Sequence, residues 1–419
     1  MTDELTCGSS IRFGAWRTAA AAAACLLVLS ALAPPAAAQD QDRPLKLLLD
    51  TTVVWDANIF RLPESIADPQ LATRGLSGRS DRISTTHFGL RVDKSYAQQR
   101  VTFDAGQSAT RYEKFVFLDR NAFNYQGAWQ WHLTPRISGT LSAGRSESLI
   151  GFDDTQALVR NVRVTTNRGL SLDGWLFGGW HLLGGVSESV SKSTVVFAAL
   201  PDATQTSGEL GLKYLAASGN FLSFTQRARR GSNTGQAVNL VNFVDSGFTV
   251  RESELAAAWK VSGKSSLDGR LTRISRHHEH VSQRDFSGYA GDLRYTWTPM
   301  GKLAVDFSAN RNLFPFTPDT RTSYRVDDTF SISPVWTVAS HTTLSLNAFR
   351  RTSDFLGPVV PVVGPLRRDT LHSVQLVASW TPHPKVTLRA SVQRDRRQSS
   401  DATFNYDDAI TSLTASLAF

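Results

Sequence analysis

Ile410-Thr-Ser-Leu-Thr-Ala-Ser-Leu-Ala-Phe419 is the stretch whose reading decides the fold. Leu413, Ala415, Leu417 and Phe419 alternate with Ser412, Thr414, Ser416 and Ala418. A period of two sets the first group on one face of a β-strand and the second on the other. The stretch ends on an aromatic. Chain ends ordinarily fray into water, where an uncovered Phe is poorly placed. In a membrane-spanning barrel the final strand pairs with the first and its outer face meets lipid, so Phe419 there has an apolar solvent. A strand ending in Phe also resembles the signal by which outer-membrane proteins are recognised for insertion, which makes the barrel-assembly machinery an expected partner. The competing reading is a soluble terminal edge strand, and the rest of the chain decides between them.

At the other end, Arg12 and Arg17 lead into Thr18–Ala33, an Ala, Leu and Val run interrupted by Thr18, Cys25 and Ser30. Pro34-Pro35 breaks the run, and Ala36-Ala37-Ala38 before Gln39 supplies the small-residue cleavage pattern. Residues 1–38 therefore read as a signal peptide and 39–419 as the exported part. Both cysteines, Cys7 and Cys25, fall inside the signal. No disulfide framework and no cysteine metal site is expected after export. No apolar run in 39–419 approaches the ~20 residues of a membrane helix. Yet the chain is 10% aromatic and carries ten Trp. Strands without a helical span fit a closed barrel, with a large soluble β domain as the rival.

Candidate strands recur along the whole exported part. Short turns such as Ser95–Gln98 alternate with long polar connections such as Arg61–Asp81 and the Pro358–Pro365 segment. The pattern predicts an all-β, transmembrane antiparallel β-barrel of eighteen strands, at roughly 21 residues per strand and connection. Pro334 falls within one proposed strand, where it removes a ladder donor. Trp131, Trp175, Trp259, Trp297, Trp336 and Trp380 all fall near the ends of strands that descend to short turns. They predict an aromatic girdle at the periplasmic interface, where an indole sits between lipid and water.

If the apolar positions face lipid, the alternate positions face a wet interior. Arg91, Lys213, Arg227, Arg229, Arg270, Arg294 and Arg389 are the candidate lumen contacts, interleaved with Asp93, Asp104, Asp268, Asp292 and Asp306. The structural alternative is that these charges pair across the wall and hold its shape. The chain has a formal net charge of +8, and only nine of its 45 basic residues are Lys. Arg forks suit carboxylates, phosphates and sulfates. With an export signal present, nucleic acid is not an expected partner; lipopolysaccharide or an acidic polymer is. A second Arg set (Arg229-Arg230, Arg273, Arg276, Arg311, Arg350-Arg351, Arg367-Arg368, Arg394 and Arg396-Arg397) is expected to ring the outer mouth. It suits lipopolysaccharide phosphates or a basic funnel. His277-His278-Glu279-His280 has no fixed fourth metal ligand. The Asp pairs 153–154, 327–328 and 407–408 lack a glycine-containing calcium loop. No nucleophile elbow, nucleotide loop or zinc-protease motif is present. The sequence thus nominates no catalytic residue, metal ligand or cofactor.

Val54-Trp-Asp-Ala-Asn-Ile-Phe-Arg-Leu62 resembles the start of EpsL-type proteins, outer-membrane proteins associated with exopolysaccharide biosynthesis in bacteria with an exosortase system. The resemblance continues through Arg111-Tyr112, Asn124-Tyr125, Trp129–Trp131, Ile137-Ser138-Gly139 and Gly151-Phe152-Asp153. It implies a passive conduit for an exopolysaccharide, with the polymer and periplasmic export components as partners. The alternatives are a general or anion-preferring diffusion porin and a non-conducting scaffold.

Overall fold

The computed structural model describes residues 44–419, apart from 67, 74, 155–157, 196–200, 236 and 317–321. The expected signal peptide, residues 1–38, lies outside the described residues. The strands are β1 (Leu45–Asp56), β2 (Asp81–Tyr96), β3 (Gln99–Tyr112), β4 (Arg120–Thr134), β5 (Ile137–Leu149) and β6 (Val162–Phe177). Then come β7 (Trp180–Ser193), β8 (Asp202–Leu215), β9 (Phe221–Thr234), β10 (Gly247–Ser262), β11 (Ser265–His278) and β12 (Phe286–Met300). The last six are β13 (Leu303–Pro315), β14 (Tyr324–Ala339), β15 (Thr342–Leu356), β16 (Arg368–His383), β17 (Val386–Ser399) and β18 (Tyr406–Ala418).

Each strand pairs antiparallel with its neighbours in sequence, and β1 pairs with both β2 and β18. The sheet is therefore a closed eighteen-stranded barrel without an open edge, as the alternation predicts. Closure runs through the C-terminal stretch: Leu413, Ala415 and Leu417 stand opposite Val53, Thr51 and Leu49. Phe419 and Leu47 exchange backbone hydrogen bonds of 2.9 and 3.0 Å. The chain is an outer-membrane β-barrel.

Short turns join the strands at one end, of two residues each except for the five residues between β8 and β9. Gly178 takes φ +53° between β6 and β7, and Ala97 takes φ +50° between β2 and β3. A tight hairpin demands such left-handed residues. These turns mark the periplasmic end, and the longer connections mark the outer end. Pro334 stays within β14: it keeps its place opposite Val305 of β13, while the ladder to β15 lapses at 333–334. The missing N–H is thus absorbed by one interrupted ladder.

The apolar core lies at the outer mouth rather than along the wall. β1 ends at Asp56, and Ile59, Phe60 and Leu62 leave it to pack with Leu71 of a short helix α1 (Asp68–Thr73), Leu76, Tyr112, Phe115, Leu118 and Phe152. Phe60 meets Phe115 and Phe152 edge-on, each with centroids 4.8 Å apart. Three successive outer connections thereby fold over the mouth as one apolar unit. The wall needs no such core, because its outer face is covered by lipid.

Candidate functional site in the barrel lumen

The interior face is identified by the connection between β5 and β6. Its Asp154 carboxylate accepts from Arg325 of β14 at 2.7 Å, from Arg397 of β17 at 3.0 Å and from Arg367 at 3.1 Å. Those strands lie across the ring from β5 and β6. The residues in phase with Arg325 and Arg397 therefore face the lumen, and the connection straps the mouth. Arg397 also donates to the Asp153 carbonyl at 2.9 Å. Burial alone would raise the Asp154 pKa, but Arg397, Arg325 and Arg367 outweigh it and hold the carboxyl below its ordinary value. Arg61, at φ +54° in the connection after β1, pairs with Asp408 at 2.6 Å and Asp56 at 3.1 Å. Burial disfavours its charge, yet Asp56 and Asp408 keep its pKa raised.

The register carries this phase around the wall. Arg91, Lys213, Arg227, Arg229, Arg270, Arg294 and Arg389 all stand on the inward face. Several are braced. Arg91 meets Asp104 at 2.5 Å, and Arg227 meets Glu209 at 2.6 Å and Glu252 at 3.0 Å. Arg229 also meets Glu252, at 2.7 Å, and Arg270 meets Asp292 at 2.6 Å. Lys213 and His181 share Asp173. Arg294 and Arg389 have no carboxylate within 4.0 Å among the described residues, and neither does inward Arg351. Arg389 has only the Ser379 hydroxyl, at 3.2 Å.

A hollow of about 660 Å³ opens beside β2–β5, lined among others by His87, Arg91, Asp104, Asn124 and Gln126. His87 lies 3.2 Å from Asp50. Its ring rests on Gly106, where an added Cβ would come within 2.1 Å of Nε2. A glycine is required there for the imidazole to lie flat on the wall.

Two expectations are corrected. The second Arg set is not a single ring, because adjacent residues of a strand point to opposite faces. Arg229, Arg276, Arg351 and Arg397 face the lumen, while Arg230, Arg273, Arg311, Arg350, Arg368, Arg394 and Arg396 face outward. The strap residues Arg61 and Arg325 are additions that the sequence reading missed; strand parity after Tyr324 was the available signal for Arg325. Among the Trp residues, Trp131, Trp259, Trp297, Trp336 and Trp380 share the lipid-facing phase. Trp175 does not: it stands opposite His181 on the inward face, donates to the Gly178 carbonyl at 2.8 Å and carries the Arg136 guanidinium 4.7 Å from its ring. Trp129 and Trp180 stand outward near the same end.

The histidine-rich segment is tied to carboxylates. His277 and His278 reach Asp285 at 3.1 and 3.3 Å, and His280 reaches Asp245 at 3.1 Å. Burial would raise the Asp245 pKa, but the His280 N–H and ring and the N–H groups of Val281 and Gly247 pull it down to about 2. Among the described residues no side-chain group is gathered to hold a metal ion.

No family model and no curated protein matches the chain. Solved structures do. OccK9 (OpdG) of Pseudomonas aeruginosa is similar over 90% of this chain and 98% of its own, at 11% identity and a TM-score of 0.50. OccK2 (OpdF) of the same organism, solved in complex with glucuronate, is similar over 90% and 99%, at 8% identity and a TM-score of 0.50. At these identities the likeness shows the barrel fold. It overturns the expected membership of the EpsL-type family, since the similar structures are OccK-type outer-membrane porins. The exopolysaccharide role implied by that resemblance falls with it. The motifs behind it have a packing explanation: Ile59, Phe60, Leu62, Tyr112 and Phe152 are members of the one apolar cluster at the mouth.

Proposed function

We propose that the chain is an anion-preferring diffusion porin whose outer mouth is narrowed by the Asp154 strap. The observation that carries the reading is the set Arg294, Arg351 and Arg389, inward guanidiniums in no ion pair among the described residues; Arg294 stands opposite Asp268 without meeting it within 4.0 Å. Most inward carboxylates are already engaged: Asp104 by Arg91, Asp173 by Lys213, Glu252 by Arg227 and Arg229, and Asp292 by Arg270. Inward Asp268 and Asp306 are in no ion pair among the described residues and offset part of the free positive charge, while Arg351 and Arg389, on other strands with no carboxylate opposite, leave a local positive excess. In a barrel this wide, fixed charges raise the local concentration of the opposite ion without closing the path. Most pairs on the wall brace its shape, and the free guanidiniums set the preference.

The test is single-channel recording in planar bilayers under a potassium chloride gradient. The wild type is expected to reverse on the anion-selective side, and Arg294→Gln/Arg351→Gln/Arg389→Gln to move towards cation selectivity. Glucuronate, the carboxylate in the OccK2 complex, serves as a charged probe and glucose as a neutral one. A cation-selective wild type, or a triple variant with unchanged reversal, would sink the reading. A barrel that never conducts would return the scaffold alternative.

A further inference from the structure

On the outer surface, at the loop end of β15, β16 and β17, Arg350 stands directly opposite His372, and His372 directly opposite Arg396. All three are exposed, and none has an ion pair or side-chain hydrogen bond among the described residues. Neighbouring strands lie about 4.8 Å apart, so the row spans roughly 10 Å. Other outward Arg residues nearby are compensated: Arg368 by Asp354 at 3.1 Å, Arg311 by Asp328 at 3.6 Å, and Arg394 by Asp407 at 3.0 Å, a carboxylate that stands opposite Arg396 in the ladder but turns to Arg394. The row is thus a local excess of positive charge set on three adjacent strands, whereas outward Arg251 and Arg273, elsewhere on the wall, do not stand opposite each other.

Its depth is fixed by its own strand. His372 and Trp380 share the outward face of β16, with Val374, Leu376 and Ala378 between them. Eight residues at ~3.3 Å, tilted by 35–45°, place His372 roughly 20 Å above Trp380. That is close to the height of the apolar band of an outer-membrane barrel, about 25 Å. Trp380 then stands at the inner interface and the basic row at the outer one. Phe330, opposite Arg350 and 64% exposed, adds an aromatic at the same level.

We propose that Arg350, His372 and Arg396 form a binding site for a phosphorylated glycolipid of the outer leaflet, holding the phosphates of the lipid A portion of lipopolysaccharide. Guanidinium forks match phosphate oxygens in pairs, and the apolar strip beneath takes the acyl chains. The site lies on the face opposite the lumen, so it stands independently of the transport reading.

The test measures binding to the full chain, folded in detergent, by native mass spectrometry. The probes are diphosphorylated lipid A, dephosphorylated lipid A and inorganic phosphate. The expected result is retention of diphosphorylated lipid A by the wild type and binding about ten-fold weaker in Arg350→Gln/His372→Gln/Arg396→Gln. Arg168→Gln, an outward Arg on β6, is expected to match the wild type. Equal binding by the triple variant would overturn the site. So would equal binding of dephosphorylated lipid A to the wild type, or displacement of the lipid by millimolar inorganic phosphate. Heat-modifiable mobility reports folding. If the triple variant does not fold, Arg396→Gln and the two-lipid comparison on the wild type decide the question.

Discussion

Asp154 shows how one carboxylate can organise the mouth of a wide barrel. It is gripped by Arg325, Arg367 and Arg397 from the far wall. Removing it leaves three guanidiniums partly desolvated, at a cost on the order of 1–3 kcal/mol for the strapped arrangement. Asp154→Asn is therefore expected to free the connection and raise single-channel conductance at neutral pH. Acid should act by the same route. Because the folded-state pKa is depressed, the strap's stabilisation is complete above the ordinary aspartate value of 3.8 and is lost as pH falls through the depressed value. Wild-type conductance should be flat from pH 8 to 5 and rise only below about 3.8. In Asp154→Asn it should show no acid step, and an acid step that persists in the variant would mean another group controls the mouth. The sequence shows Asp153-Asp154 but not its partners, which come from strands across the ring. The pairing is tertiary, and no local spacing announces it.

At the level of the strand, most of the wall is legible because a barrel facing lipid must repeat one apolar face. The alternation around Leu413–Phe419 and Val374–Trp380 gives both the strands and their phase. Legibility fails where a residue's type and its parity disagree. Trp175 has the residue type of a girdle member but the parity of the lumen, fixed by Leu170 and Leu172 on the lipid side. β1 fails differently: Ile59 and Phe60 continue its apolar character but are spent on the loop cluster. The depth assigned to β16 makes its own prediction. Leu376 lies midway between His372 and Trp380 on the outward face, at the bilayer midplane. Leu376→Arg should destabilise folding into vesicles by about 2–4 kcal/mol, and His372→Arg by about 0–1 kcal/mol. Denaturant titration in lipopolysaccharide-free vesicles measures both, and equal costs would mean that the strand is placed at the wrong depth.

Over the whole molecule, the lumen carries acids and bases close together, so its selectivity has to come from a small residue of free charge. Paired groups such as Arg270 and Asp292 cancel beyond a few ångströms, whereas Arg351 and Arg389, and Arg294 less the Asp268 opposite it, act at a distance. The range of that action is the Debye length, about 10 Å at 0.1 M salt and about 3 Å at 1 M. A wall of eighteen strands leaves a passage in which three fixed charges cover the path only at the longer of these lengths. Anion preference measured from reversal potentials should accordingly be clear around 0.1 M potassium chloride and collapse towards none near 1 M. A narrow, fully desolvated filter would behave otherwise, because buried charges are screened far less. Preference that survives 1 M salt would therefore relocate selectivity from the open wall to the strapped mouth around Asp154. The Asp154→Asn channel, recorded in the same gradient, would then lose the preference that Arg294→Gln leaves intact.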